Sequence, residues 1–205
     1  MIYKTEQENF WATEFGNEYL DRNEGEKLIS SNVALFSKIF KSCPDVLSAA
    51  ELGCNIGLNL QALKRINNGF ELRGYEINKN ASNIAANKKI AEIINTTVIK
   101  ELECDKKFDI TFTKGVLIHI NPDELSVVYQ NLYNLSTKYI MICEYYNPTP
   151  VSVEYRGNKE RLFKRDFAGE MINRFNLRLI DYGFNYQHDY YLTNDDTTWF
   201  LMEKL

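Results

Sequence analysis

Apolar residues recur along this chain at two different spacings, and the change from one to the other marks out its elements. In residues 6–20 and 25–41, Phe10, Trp11, Phe15 and Tyr19, and then Leu28, Val33, Leu35, Phe36, Ile39 and Phe40, recur mostly at three or four residues, the period of one helix face. From residue 46 onward, short apolar runs read as strands at 46–52, 70–77, 96–100, 108–114, 138–145, 177–186 and 197–204. Helical stretches at 57–66 and 79–90 separate the first three. Another helix opens at Asn121-Pro122-Asp123-Glu124, which offers a cap, a first-turn proline and two acids for the helix dipole. The last helix covers 166–175, and the polar segment before it reads as a loop. This alternation predicts an α/β fold, a mainly parallel sheet with helices on both faces. The closing two strands are joined by turn-rich Asn194-Asp195-Asp196 and must run antiparallel. With no repeat or linker in between, residues 1–42 are expected to form a helical cover on a single unit spanning 43–205.

Composition narrows the function. A chain of 205 residues that is 44% hydrophobic supports one well-buried core. Its net charge of −4 gives no positive field to hold a nucleic acid backbone. Cys43, Cys54, Cys104 and Cys143 show no CxxC spacing and sit in or beside apolar runs. They read as small buried hydrophobes in a reducing compartment, and no metal site is expected. No stretch reaches membrane-spanning length and the first residues mix charges, so a cytoplasmic protein without membrane association is expected.

The chemistry concentrates in Ala49-Ala50-Glu51-Leu52-Gly53-Cys54-Asn55-Ile56-Gly57-Leu58-Asn59, an apolar strand that passes through a glycine-punctuated turn into a helix. Gly53 and Gly57 let the backbone approach a ligand, and Asn55 tolerates a left-handed conformation. A ligand is expected above the strand ends. Glu76, 23 residues after Gly53, closes the second strand, where an acid can accept both hydrogen bonds of a ribose diol. Each feature alone also suits a plain tight connection or a solvated strand end; their order together favours a nucleotide-like ligand. A dinucleotide dehydrogenase is formally compatible, but would prefer a third glycine nearer the helix.

Glu51-Leu52-Gly53-Cys54-Asn55-Ile56-Gly57 resembles the first motif of class I S-adenosylmethionine-dependent methyltransferases, with Asn55 where a glycine is usual. Phe108 to Ile120 is similar to their fourth strand and following turn. The resemblance implies a Rossmann-like seven-stranded sheet with an antiparallel terminal strand and S-adenosylmethionine as cofactor. It also implies a cofactor site of Glu51, Gly53, Asn55, Gly57, Asn59, Glu76 and Lys114, with the glycines beside the amino acid moiety, Glu76 at the ribose and the segment after strand three at the adenine. Glu8-Asn9-Phe10-Trp11, Phe112 to Pro122, Glu144 to Pro150, Tyr155-Arg156-Gly157 and Arg161 to Glu170 resemble the pseudaminic acid biosynthesis-associated methylases, found with genes for bacterial nonulosonic acid glycans. That likeness implies a small anionic sugar or sugar-nucleotide acceptor.

On the acceptor side, His119, Glu144, Tyr145 and Tyr146 fall at the ends of strands four and five. A hydroxyl acceptor wants a base, and His119 suits that role better than Glu144, which needs burial to raise its pKa. Both have structural alternatives, and His188 lies at a sheet edge. Arg156, Lys159, Arg161, Lys164 and Arg165 form a basic cluster in an acidic chain, either an anion site or a solvated charged loop. Trp11, Phe15, Tyr19 and Arg22 are candidates for a cover over the cleft or, equally, core. Besides a small-molecule methyltransferase, two readings stay open: a catalytically silent cofactor-binding subunit and an RNA methyltransferase. The Asn/Asp-Pro-Pro-aromatic signature of base amino-group methylation is missing, since Asn147-Pro148-Thr149 departs from it.

Overall fold

The computed structural model describes residues 3–20, 25–103, 105–190, 192 and 194–205. Arg22, Cys104 and the Tyr19 side chain lie outside the described residues. Helices α1 (Glu6–Ala12), α2 (Glu14–Leu20) and α3 (Glu26–Ile39) precede β1 (Ser48–Leu52), α4 (Leu58–Ile66), β2 (Glu71–Glu76), α5 (Lys79–Asn87) and β3 (Glu92–Asn95). Then come β4 (Phe108–Lys114), α6 (Leu125–Leu135), β5 (Ser136–Glu144), β6 (Val151–Tyr155), β7 (Asn158–Lys164), α7 (Phe167–Arg174), β8 (Leu177–Phe184) and β9 (Thr198–Lys204).

Seven strands form one sheet in the order β3-β2-β1-β4-β5-β9-β8. β1 to β5 pair in parallel, and β9 runs antiparallel to both its neighbours. β5, buried continuously from Tyr139 to Glu144, shows how the sheet is covered on both faces. Ile140 and Ile142 face a core completed by Leu125, Val128 and Leu132 of α6 and Phe167 and Met171 of α7. Tyr139, Met141 and Cys143 face the opposite core, with Phe36 and Ile39 of α3 and Leu60 and Leu63 of α4. Period-two alternation in strands and a stripe on each helix thus give two cores, one per sheet face. Cys43, Cys54 and Cys143 are buried free thiols.

Three expectations are corrected. The third strand is Glu92–Asn95, not 96–100: its pairing with β2 ends at Glu76↔Asn95, so the β-branched run that follows has no partner strand and leaves the sheet. The polar loop after strand five is a hairpin, β6–β7. Its turn is Arg156-Gly157, both at positive φ (49° and 79°), the conformation that two-residue hairpins favour. The first helix is broken at Thr13, whose non-helical backbone (φ −118°, ψ −138°) ends α1 before α2 begins. No helix among the described residues is long and apolar enough to cross a membrane.

Candidate active site

Above the carboxyl ends of β1, β2 and β4 lies a cavity lined by Gly53, Asn55, Glu76, Thr96, Thr97, Lys114, Val116 and His119, and closed by Gln7, Glu8 and Trp11 of α1. One wall is the turn after β1. Gly53, Asn55 and Gly57 all have left-handed φ (78°, 48° and 77°). A Cβ on Gly53 would meet Val116 Cγ2 at 2.6 Å, so only glycine lets the two turns touch there. The N–H groups of Gly53 and Cys54 both donate to the Tyr75 carbonyl (2.8 and 3.0 Å), tying the turn to β2.

Glu76 is buried and fixed from two sides. Asn55 N–H donates to one carboxylate oxygen and Asn78 N–H to the other, each at 2.7 Å. Burial raises its pKa while these amides pull it back down. With Ile77 as a third backbone partner, the carboxylate still has acceptor capacity for a hydroxyl donor. Glu51, fully buried on β1, accepts from Asn59 Nδ2 at 2.6 Å, and burial pushes its pKa up to about 8. Its other oxygen, Asn55 Oδ1 and Asn59 Oδ1 are buried without a donor among the described residues. Buried acceptors left this way are rare in folded proteins, and three of them gather around one turn. Lys114, at the end of β4, contributes an ammonium on the cavity wall.

The opposite wall carries His119, the last residue of the 3-10 turn Leu117–His119. Its Nδ1 lies 2.7 Å from the Arg161 carbonyl on β7. A carbonyl can only accept, so in the neutral ring the proton sits on Nδ1 and Nε2 is the acceptor. Burial lowers its pKa to about 4, which keeps the ring neutral near pH 7. Trp11 and Tyr155 pack on it with ring centroids at 4.5 and 5.0 Å. α1 is fastened to the surrounding loops by Glu8 to Thr97, Gln7 to the Glu160 carbonyl and Asn121, and the Arg161–Glu6 ion pair.

Sequence expectations separate here. Gly53, Asn55, Glu76, Lys114 and His119 line one cavity, with Glu51, Gly57 and Asn59 forming the turn around it. Glu144 does not line it. Its buried carboxylate accepts the backbone N–H groups of Val116, Leu117 and Ile118 at 3.0, 3.1 and 3.5 Å, which leaves no free edge for an acceptor. Tyr145 lies under the Lys164 ammonium, 5.1 Å from its ring, and Tyr146 is exposed against Phe200.

The basic cluster does not converge on an anion site. Arg161 pairs with Glu6 at 2.9 Å and Arg165 with Glu170 at 2.6 Å, while Arg156 lies over the Tyr155 ring. Sequence reasoning missed Gln7, Glu8, Thr96 and Thr97 as wall residues; no sequence signal marked the last two, whose β-branched side chains read as strand. Among the described residues no group of His, Cys, Asp and Glu could hold a metal ion.

This sheet order, with its antiparallel last strand and glycine turn after β1, is the class I S-adenosylmethionine-dependent methyltransferase fold. The particular solved structures that share it include magnesium protoporphyrin IX methyltransferase ChlM from Synechocystis PCC 6803 with bound SAH, at TM-score 0.71 and 12% identity over 97% of this chain and 98% of that one. The plantazolicin methyltransferase BpumL in complex with SAH matches at TM-score 0.67 and 12% identity, over 97% of this chain and 94% of that one. An S-adenosylmethionine-dependent methyltransferase from Clostridium acetobutylicum ATCC 824 matches at 0.65 and 11%, over 93% and 97%. No protein-family model and no curated protein sequence matches the chain.

Proposed function

We propose that this chain is an S-adenosylmethionine-dependent methyltransferase acting on a small acidic sugar or sugar-nucleotide in nonulosonic (pseudaminic) acid glycan biosynthesis. The observation that carries the cofactor assignment is the set of donorless acceptors around the glycine turn, Glu51 Oε2, Asn55 Oδ1 and Asn59 Oδ1, with the Lys114 ammonium nearby. Three acceptors complement the three N–H donors of an α-ammonium, and a lysine complements an α-carboxylate. Glu76 has the remaining lone pairs for a ribose diol, and Thr96 to Ile99 border the adenine end. Solved structures of the same fold bind SAM or SAH, which supports the same reading.

S-adenosylmethionine supplies an electrophilic methyl group on a sulfonium, transferred by direct displacement. The chain's own work is alignment and handling of one proton. His119 presents Nε2 as acceptor, its other nitrogen being held by the Arg161 carbonyl. An acceptor hydroxyl becomes strongly acidic as its new bond to carbon forms, so a base of low pKa can take the proton late in the step. Helices α1 and α2 act as the cover, with Gln7, Glu8 and Trp11 across the cavity from the glycine turn. The acidic-sugar acceptor is supported by the sequence resemblance, and it would meet the cavity beside His119.

The test is transfer of label from tritiated S-adenosylmethionine to a panel of acidic sugars, their nucleotide-activated forms and RNA. Label in the acidic sugars supports the assignment, and label in RNA alone replaces it. Cofactor binding without transfer to any acceptor would favour the silent subunit.

A further inference from the structure

Among the described residues, one acid buried at the edge of the site is spent on backbone amides and does not line the cavity. Glu144 ends β5, is 2% exposed, and directs its carboxylate at Val116, Leu117 and Ile118. These three N–H groups open the 3-10 turn Leu117–His119. Val116, its N-cap residue, supplies no side-chain cap of its own. Helical turns leave their first N–H groups unpaired, and an anion there satisfies them and complements the local dipole. Here the cap comes from another strand, across β4–β5, where Lys114 pairs with Cys143 one residue before each chain turns away.

We propose that Glu144 is a positioning residue: its carboxylate caps the turn Leu117–His119 and through it sets the orientation of the His119 ring at the cavity. The chain of contacts is short. The carboxylate fixes the amides of residues 116–118; these place His119 so that Nδ1 meets the Arg161 carbonyl. They also place Val116 against Gly53. Gly115, at φ 69° and tied by its N–H to the Cys143 carbonyl, lets β4 turn into this arrangement; Leu117 and Ile118 seat the turn on the core, and the Glu144 carboxylate satisfies its first amides. The inference rests on reading His119 as the acceptor-side residue, but its test needs neither cofactor nor acceptor.

The chain has two histidines, so nitrogen-15 spectra of its imidazole rings resolve His119 from His188. In the wild type His119 is expected to show a single tautomer protonated at Nδ1. Glu144→Ala is expected to lose that pattern to a mixture of tautomers, and Glu144→Asp, whose carboxylate is withdrawn by one methylene, to lose it in part. Glu144→Gln keeps one amide oxygen for Val116 and Leu117 and is expected to retain it. Hydrogen exchange at the amides of residues 116–118 reads the cap directly, with protection lost in the order Gln, Asp, Ala.

An unchanged His119 pattern and unchanged exchange in both Asp and Ala variants overturn the proposal. If the Ala variant does not fold, the Asp and Gln pair decides: loss in Asp with retention in Gln supports the cap, and equal behaviour of the two rejects it. A separate titration of the wild type with S-adenosylhomocysteine tests the cofactor reading, so either claim can fail alone.

Discussion

The two walls of the cavity are held together by different means. The wall made by β1, the glycine turn and β2 is joined through backbone: Gly53 and Cys54 N–H to the Tyr75 carbonyl, and Asn55 and Asn78 N–H to Glu76. The wall made by α1 is joined through side chains, with Lys4 to Glu124, Glu6 to Arg161 and Gln7 to the Glu160 carbonyl. Such exposed ion pairs contribute about 0–1 kcal/mol each. The difference teaches which half is preorganised. A ligand meets one surface fixed by main-chain hydrogen bonds and another held by side-chain contacts.

The sharpest test of the fixed wall is Gly53→Ala. Its Cβ would meet Val116 Cγ2 at 2.6 Å in a left-handed conformation, a strain on the order of 1–3 kcal/mol. Affinity for S-adenosylhomocysteine is expected to fall by about 10- to 100-fold, measured by calorimetry on protein of unchanged circular dichroism. Equal affinity would mean that the turn is not the ligand surface.

Two buried acids, Glu51 behind that wall and Glu144 behind the turn at Val116 to Ile118, predict a pH dependence of stability. Burial raises Glu51 to about 8 and Glu144 to about 7 from 4.5, so the folded chain keeps protons that the unfolded chain has already released. Stability from these two groups is therefore lost as pH rises through 4.5 to 8. His119, lowered from 6.5 to about 4, acts in the opposite sense, with stability lost as pH falls below 6.5. Between pH 6.5 and 8 only the carboxyl effect operates. Urea unfolding of the ligand-free chain is expected to show about 1–2 kcal/mol less stability at pH 8. Glu51→Gln should flatten that slope; an unchanged slope would contradict burial as its cause.

The smallest effect belongs to the cover. Glu6→Ala removes the partner of Arg161, and thermal unfolding is expected to report a loss of about 1 kcal/mol or less. A loss above about 2 kcal/mol would show that both walls are equally fixed and dissolve the comparison.

What the sequence made legible follows the same division. Gly53, Asn55, Gly57 and Glu76 could be read because their geometry is local: left-handed φ values within one turn, and an acid at the end of the adjacent strand. The end of β3 could not, because Thr96 to Ile99 have strand-forming side chains and only the reach of β2 decides where the ladder stops. Nor could the fate of the basic cluster. Arg161 finds Glu6, 155 residues away in sequence, and Arg165 finds Glu170 across the start of α7. A positive cluster in sequence says nothing of the acids that the fold brings to it. Glu144 was visible as an acid at the end of strand five, but its turn to the backbone amides rather than the cavity depends on where residues 116–118 lie.

The most direct measurement is calorimetric titration of wild type and Glu76→Ala with S-adenosylmethionine and S-adenosylhomocysteine, beside NAD. The account predicts micromolar binding of both sulfur nucleotides, weakened about 100-fold in the variant by loss of charge-assisted hydrogen bonds to the ribose, and no binding of NAD. Binding of NAD alone, or of no nucleotide, would contradict it.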